Sequence, residues 1–419
     1  MLDTPTRLAI DGGTPVRGPE RPLPPVFPRY IPPSAYDNVR AVLDSGFTYD
    51  INATFEVALA EAFGVEHAVT LSNCTAAVHA GLAACGVGPG DEVVVSSITD
   101  YGSVAGILAQ QAIPVFPDVD ERTGNVTGET IERVLSPRTK AVVAVHFYGL
   151  ICDLDPIVDL CTSRGVTLVE DCCQAPLGAY KGRMAGSIGD MGCLSFDAEK
   201  HLSSDHGGAI LTDDPKVAAA ARKFGLMRGA VSKPGYGRVH ETFGLNYRYS
   251  NLDAAVGLAQ LEILPGQNRR RVELADRLTA GLAGVQGVHP PYVPPGSSHL
   301  YWLYHIRLEP GAFRVGAKEF AAALNAEGLK GCGVAEYYLV PESHTYFQTK
   351  RGAFGRSGAP WDHPANAGSA GVSYDLDRLP NARRHLEHTI RWTWTDKHSE
   401  ADVDDQAAMI GKVADAYRR

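Results

Sequence analysis

Between His67 and Asp213 short apolar runs alternate with helical patterns, and this alternation restricts the chain to few folds. HAVTLS, DEVVVSS, IPVFPDVD, KAVVAVHFY, VTLVEDC, MGCLSF and GGAILTD read as strands. Between them TAAVHAGLAACG, SVAGILAQQA, TGETIERVLSPR and LDPIVDLCTSRG repeat apolar residues at helical spacing, as do SAYDNVRAVLDSG and ATFEVALAEAFG upstream. Strands this apolar, separated by helices, belong to βαβ units around a sheet covered on both faces. The pattern predicts an α/β domain over residues 31–265, preceded by a proline- and glycine-rich extended arm over residues 1–30. Around LEILPGQNRRRVELADRLTAGLAGV a long polar-faced helix begins, and LYWLYHIRL with KEFAAALNAEGLKGCGVAEYYLV predicts a smaller α+β domain over residues 266–419.

A parallel sheet presents its ligands at the carboxyl ends of its strands, where loops enter helix N-termini. After HAVTLS comes Asn73-Cys74-Thr75, opening a helix whose first turn offers free backbone N–H groups to an anion. Asn73 or Thr75 would serve equally well as a plain N-cap. GVGPGDE has glycines at alternate positions but follows a helix, and reads as a turn. After VTLVE comes Asp171, a carboxylate that needs a cationic or protonated partner unless it only caps. After MGCL come Ser195 and Lys200, and Gly207-Gly208 permits close backbone approach. Lys200 alone reads as a surface charge; beside buried strands, a lysine loses its proton more readily and becomes a nucleophile. Taken together, Thr75, Asp171, Ser195 and Lys200 match what pyridoxal 5′-phosphate requires: a lysine for its aldehyde, a carboxylate for its ring nitrogen, and a helix start for its phosphate.

The remaining composition excludes other classes. A net charge of −9, from 39 basic and 48 acidic residues, argues against strong binding to nucleic acid or an anionic membrane. Neither a leader pattern nor a membrane-length apolar run is visible, which predicts a cytoplasmic protein. The eight cysteines show no C-x-x-C pair, and most read as small buried residues in a reducing compartment, with Cys172-Cys173 lacking a partner pair spaced to complete a metal or redox site.

FEVALAEAFGVEHAVTLSNCTAAVHAGLAACGVGPGDEVVV, LVEDCCQAPLGAYKGRMAGSIGDMGCLSF, SFDAEKHLSSDHGG and FGLNYRYSNLDAAVGLAQLEIL resemble the DegT/DnrJ/EryC1/StrS aminotransferases, over nearly the whole chain. The resemblance implies PLP fold type I and amino transfer from glutamate or glutamine to a keto sugar, mainly nucleotide-linked, or a keto-cyclitol. It implies that Lys200 bonds the cofactor aldehyde and shuttles the proton, and that Asp171 pairs with the pyridine nitrogen. Gln174 would approach the phenolic oxygen, Ser195 and Cys74-Thr75 would hold the phosphate, and Asn246 would reach the phosphate in the neighbouring subunit of a homodimer. The family's usual stacking aromatic is replaced by Asp100, so either Tyr101 stacks on the ring or the ring is covered otherwise, with Asp100 a buried carboxylate open to the substrate. His206 and Tyr338 are candidate substrate contacts, and Trp392-Thr393-Trp394 departs from the family's ordinary apolar strand. A PLP-dependent dehydratase, epimerase or lyase using the same lysine is the second reading. A regulator on this fold is disfavoured, because no DNA-binding appendage is visible.

Overall fold

The computed structural model describes residues 7–226, 231–233, 237–239, 242–351 and 358–419. Seven strands form the main sheet: β1 (His67–Leu71), β2 (Glu92–Val95), β3 (Ile113–Val115), β4 (Thr139–Val145), β5 (Thr167–Asp171), β6 (Met191–Ser195) and β7 (Gly208–Thr212). Their order is β1-β7-β6-β5-β4-β2-β3. The block β3-β2-β4-β5-β6 is parallel, and β7 runs antiparallel between β6 and β1. All seven strand ends except those of β7 therefore point the same way.

Period-two alternation divides the strands between two cores. Ala141, Val143 and Val145 of β4 pack in the cluster that holds Val78, Leu82, Val104 and Ile107. Val142 and Ala144 pack in the other, with Ile157, Leu168 and Phe55. Helices α1 (Pro33–Asp44), α2 (Ile51–Phe63), α3 (Cys74–Ala84), α4 (Gly102–Ala109), α5 (Gly128–Glu132), α6 (Leu154–Arg164) and α7 (Pro215–Leu226) surround the sheet. Two elements are shorter than their patterns suggest. IPVFPDVD forms a strand only as far as Val115, since Pro117 has no N–H to continue a ladder. TGETIERVLSPR is helical for five residues, opened by a Thr127–Thr130 capping box and stopped before the Ser136–Thr139 turn.

Helix α8 (Asn251–Gly281) begins earlier than the sequence suggests, at a Ser250 cap, and continues through residue 265 into the C-terminal region. There Leu274 and Leu278 enter a third core with β8 (Val288–His289), β9 (Leu303–Leu308) and β10 (Thr389–Thr393), an antiparallel sheet. Trp392 and Trp394 are buried in this core, and their indole N–H groups donate to Gln406 Oε1 and the Arg271 carbonyl. They are packing residues, which explains the departure noted in the sequence without reference to a substrate. The N-terminal arm folds back on its own chain: Ala9 and Val16 N–H donate to Glu327, and Arg17 pairs with Asp402 and Asp405. No helix among the described residues is long and apolar enough to cross a membrane.

Candidate active site

β1 ends beside α3, and Asn73 Oδ1 accepts the Ala76 N–H at 2.8 Å. Asn73 is therefore the cap, leaving Cys74 and Thr75 as the first helical residues, where backbone N–H groups face outward and the helix dipole is positive. The lysine segment closes directly beneath this turn. Leu71 pairs with Gly208, and Asn73 bridges to Gly207. A Cβ at Gly208 would lie 2.5 Å from the Asn73 carbonyl carbon and 2.6 Å from the Cys74 nitrogen. Gly207 has φ +116°, and its added carbon would lie 2.3 Å from the Tyr249 ring. The glycine pair thus has a packing reason. Gly208→Ala is expected to cost about 1–3 kcal/mol, as overpacked sites do, and to weaken cofactor affinity at least about tenfold by lifting the α3 turn. Thermal melting and an absorbance titration with the cofactor check this, and an unchanged affinity would contradict it.

β5 delivers Asp171, 4 % exposed. Its Oδ2 accepts from Ser103 Oγ at 2.6 Å and its Oδ1 from the Cys173 N–H at 3.1 Å. Ser103 Oγ in turn lies 2.8 Å from Thr99 Oγ1. Each carboxylate oxygen therefore keeps acceptor capacity for a further donor, while the hydroxyl relay fixes its orientation. Ser103 and Thr99 were not singled out from sequence. The signal available was a hydroxyl pair spaced by four residues across a strand end and helix start. Gln174 is buried and its Oε1 accepts the Tyr148 N–H at 2.6 Å, which leaves its NH₂ to donate.

β6 delivers Ser195, whose Oγ accepts the Asp197 N–H at 3.4 Å. The segment after it is not helical; turns place Lys200, with its N–H bonded to the Asp197 carbonyl. Lys200 Nζ lies 3.9 Å from the Trp302 ring centroid and, among the described residues, has no carboxylate within ion-pair distance. Trp302 donates its indole N–H to the Glu199 carbonyl at 3.0 Å, so it braces the lysine loop. It precedes β9, and its sequence context suggested only a strand of the smaller domain.

Cys74 and Cys173 bring the strand ends into direct contact, their sulfurs 2.7 Å apart. The Lys200 charge acts on both thiols, which puts all three groups in one neighbourhood. The Cys173 contact lowers the Cys74 pKa, but burial and the Asp171 carboxylate outweigh it and push that thiol up to about 12. Burial, then the Cys74 contact and Asp171, raise Cys173 well above its ordinary value.

Other candidates lie differently. Asp100 is exposed, not buried: its Oδ1 accepts the Gly102 N–H at 3.0 Å, in the turn that leads into α4. Tyr101 stacks on His344, with centroids 4.6 Å apart and planes at 19°. His206 is exposed, and its charge acts on Asp253 in the first turn of α8. Asn246 is exposed and accepts from Arg248 Nε rather than meeting any strand-end residue. Tyr338 is buried against Phe147 and Tyr148, whereas its neighbour Tyr337 is exposed.

Residues 31–357 match the model of the DegT/DnrJ/EryC1/StrS aminotransferase family. The L-glutamine:2-deoxy-scyllo-inosose aminotransferase of Streptomyces lividus is 36 % identical, over 97 % of this chain and 97 % of its own. Spore coat polysaccharide biosynthesis protein SpsC of Bacillus subtilis is 33 % identical over 86 % of this chain and 88 % of its own. The solved structure of DesI in the presence of its TDP-sugar product superposes with a TM-score of 0.79 at 26 % identity, over 98 % of this chain and 97 % of that one. The chain belongs to this family and is a PLP-dependent aminotransferase with the fold of its relatives.

Proposed function

We propose that this member of the DegT/DnrJ/EryC1/StrS aminotransferase family moves an amino group from glutamate or glutamine to a keto-cyclitol or a nucleotide-linked keto sugar, in the cytoplasm, for amino-sugar or antibiotic biosynthesis. The observation that carries the reading is the convergence of Asp171, Lys200 and the α3 start at one edge of the sheet. Among acceptors, the end-to-end match to the inosose aminotransferase favours the cyclitol. The GDP-perosamine synthase of Caulobacter vibrioides, 38 % identical, is matched over only 61 % of this chain and 69 % of its own.

The residues fit pyridoxal 5′-phosphate by their chemistry. A buried, hydrogen-bonded carboxylate with spare acceptor capacity suits a pyridinium N–H, and an amine without a carboxylate partner suits an aldehyde. When bound, the cofactor supplies an electron-accepting ring that makes the neighbouring C–H bond acidic. Lys200 would hold the cofactor aldehyde and would then take up and pass on a proton at its Nζ. Asp171, aligned by Ser103 and Thr99, keeps the ring nitrogen protonated. The Cys74-Thr75 turn and Ser195 hold the phosphate, and Gln174 donates to the phenolic oxygen. Tyr101 and Asp100 would stand beside this seat, since a carbon added at Gly102 would meet both Thr75 Oγ1 and Asp100 Oδ1.

A homodimer completes the site in this reading. Tyr36, Leu43, Phe47 and Val57 of the α1–α2 region and Phe243 leave large apolar surfaces exposed on the single chain, as an interface would. Asn246 lies three residues from Phe243 and in this reading would reach the partner's phosphate. The test is product analysis by mass with glutamine and either 2-deoxy-scyllo-inosose or a GDP-linked keto sugar. An amine product from one acceptor, with equimolar keto acid from glutamine, is expected. Consumption of a keto substrate without nitrogen transfer would favour a dehydratase, epimerase or lyase and overturn the proposal.

A further inference from the structure

The two sulfurs at the cofactor seat belong to residues 99 positions apart, and each lies within two residues of an anchor. Cys74 precedes Thr75 in the first turn of α3, and Cys173 lies two residues beyond Asp171. A Cys74 sulfur, a Cys173 sulfur and an Asp171 oxygen all lie within 4.8 Å of one another. A molecule joining the phosphate turn to the carboxylate would therefore pass beside the sulfur pair. Cys172 does not share this position: its thiol turns to the other side of the strand, toward Glu170 and His146. The separation of 2.7 Å is well inside van der Waals contact, so little side-chain movement separates the pair from a covalent bond. Both residues are half-buried, which leaves them within reach of a small reagent entering the seat; Cys85 is half-buried too but lies at the far end of α3, and Cys152, Cys161, Cys172, Cys193 and Cys332 are buried.

We propose that Cys74 and Cys173 form a thiol modification site at the cofactor seat, closed to an intramolecular disulfide by a small-molecule disulfide when the cofactor is away and shielded when it is bound. Cys74 loses its proton to solvent and attacks one sulfur of the reagent, whose S–S bond breaks and whose other half leaves as a thiolate that takes up a proton. Cys173 then loses its proton and attacks the Cys74 sulfur of the mixed disulfide, releasing the second small thiol. Two protein thiols are oxidised and one reagent disulfide is reduced to two thiols. Cys74 is the first attacker because it stands at a helix N-terminus, where the free backbone N–H groups favour a thiolate. Since both thiols are held above their ordinary range, closure accelerates as pH rises. The cross-link also ties the loop that follows Asp171 at the end of β5 to the turn that bears Thr75. The Cys173 N–H already bonds Asp171, so the carboxylate turns with it and cofactor uptake falls.

The proposal rests on the cofactor seat assigned above but not on the amino acceptor. The test treats the full-length protein, cofactor-free and cofactor-loaded, with oxidised glutathione, and reads thiol titre and peptide mass. In cofactor-free protein two thiols should disappear, with a Cys74–Cys173 cross-linked peptide; uptake of pyridoxal 5′-phosphate should fall at least about tenfold and return with reductant. Loaded protein should keep both thiols, and Cys173→Ala should stop at a glutathione adduct on Cys74. An unchanged titre in the cofactor-free protein, a cross-link between other cysteines, or the same loss of two thiols in Cys173→Ala overturns the site. Equal closure in loaded and cofactor-free protein overturns the shielding and, with it, the placement of the cofactor beside the pair. The amino-transfer reading is untouched by any of these outcomes, because product analysis tests it separately.

Discussion

Lys200→Ala is expected to lower turnover by about 10⁴-fold, the upper end of what one positioned proton-transfer group contributes, and to remove the absorbance of covalently held cofactor. The expectation follows from the lack, among the described residues, of a second amine with the same access. Among the described residues, Lys200 is the strand-end lysine whose charge reaches both Cys74 and Cys173. His201, next in sequence, cannot replace it: burial, followed by the charges of Arg271, Arg29 and Lys200, holds its pKa well below the ordinary value, and its ring nitrogens are enclosed. The fold should survive. The lost contact is one amine on the Trp302 face, worth about 0.5–1 kcal/mol at such a site, and the loop keeps its turn bonds. Absorbance, turnover and thermal melting on one preparation check this, and a bound-cofactor band as strong as in the unaltered protein would refute the assignment.

Asp171→Asn is expected to lower turnover by about 10²–10³-fold, the scale of losing one preorganised electrostatic partner, while the covalent link through Lys200 persists. The substitution keeps the size of the side chain, and one oxygen can still accept from Ser103 or Cys173. What it removes is the negative charge that holds a proton on the pyridine nitrogen. The two variants therefore separate the roles: Lys200→Ala loses the band and turnover, whereas Asp171→Asn keeps a band and loses turnover. Full turnover in Asp171→Asn would mean that another group carries the charge. The hydroxyls of Ser103 and Thr99 donate but bear none, so they cannot substitute.

The parallel sheet was legible because its strands are continuous apolar runs, and their ends marked Thr75, Asp171, Ser195 and Lys200 with no tertiary information. Limits appeared where a contact joins distant segments. Trp302 braces the lysine loop across 102 positions, and the run LYWLYHIRL shows only a strand period. Cys173 meets Cys74 through the pairing of β5, β6, β7 and β1, which no local spacing of cysteines reveals. Asp100 occupies a place that suggested a buried carboxylate, but it is exposed, bonded to the Gly102 N–H in the turn before α4. Tyr338, a candidate substrate contact by its neighbours in sequence, is buried against Phe147 and Tyr148, with the exposed Tyr337 ring beside it. The glycine pair after Lys200 shows the reverse case. Its place in sequence allowed a close approach, and the Asn73–Cys74 turn above Gly208 supplies the reason.

The central claim is that Lys200 and Asp171 form one seat for pyridoxal 5′-phosphate that accepts an amino group from glutamate or glutamine. Its most direct test is the donor half-reaction alone: titration of cofactor-loaded protein with L-glutamine or L-glutamate in the absence of any acceptor, followed by absorbance and by keto-acid release. The account predicts full conversion of the cofactor to its amine form with one equivalent of keto acid per site, and no conversion in Lys200→Ala. Absence of conversion with either donor, in protein that carries the cofactor, would contradict it.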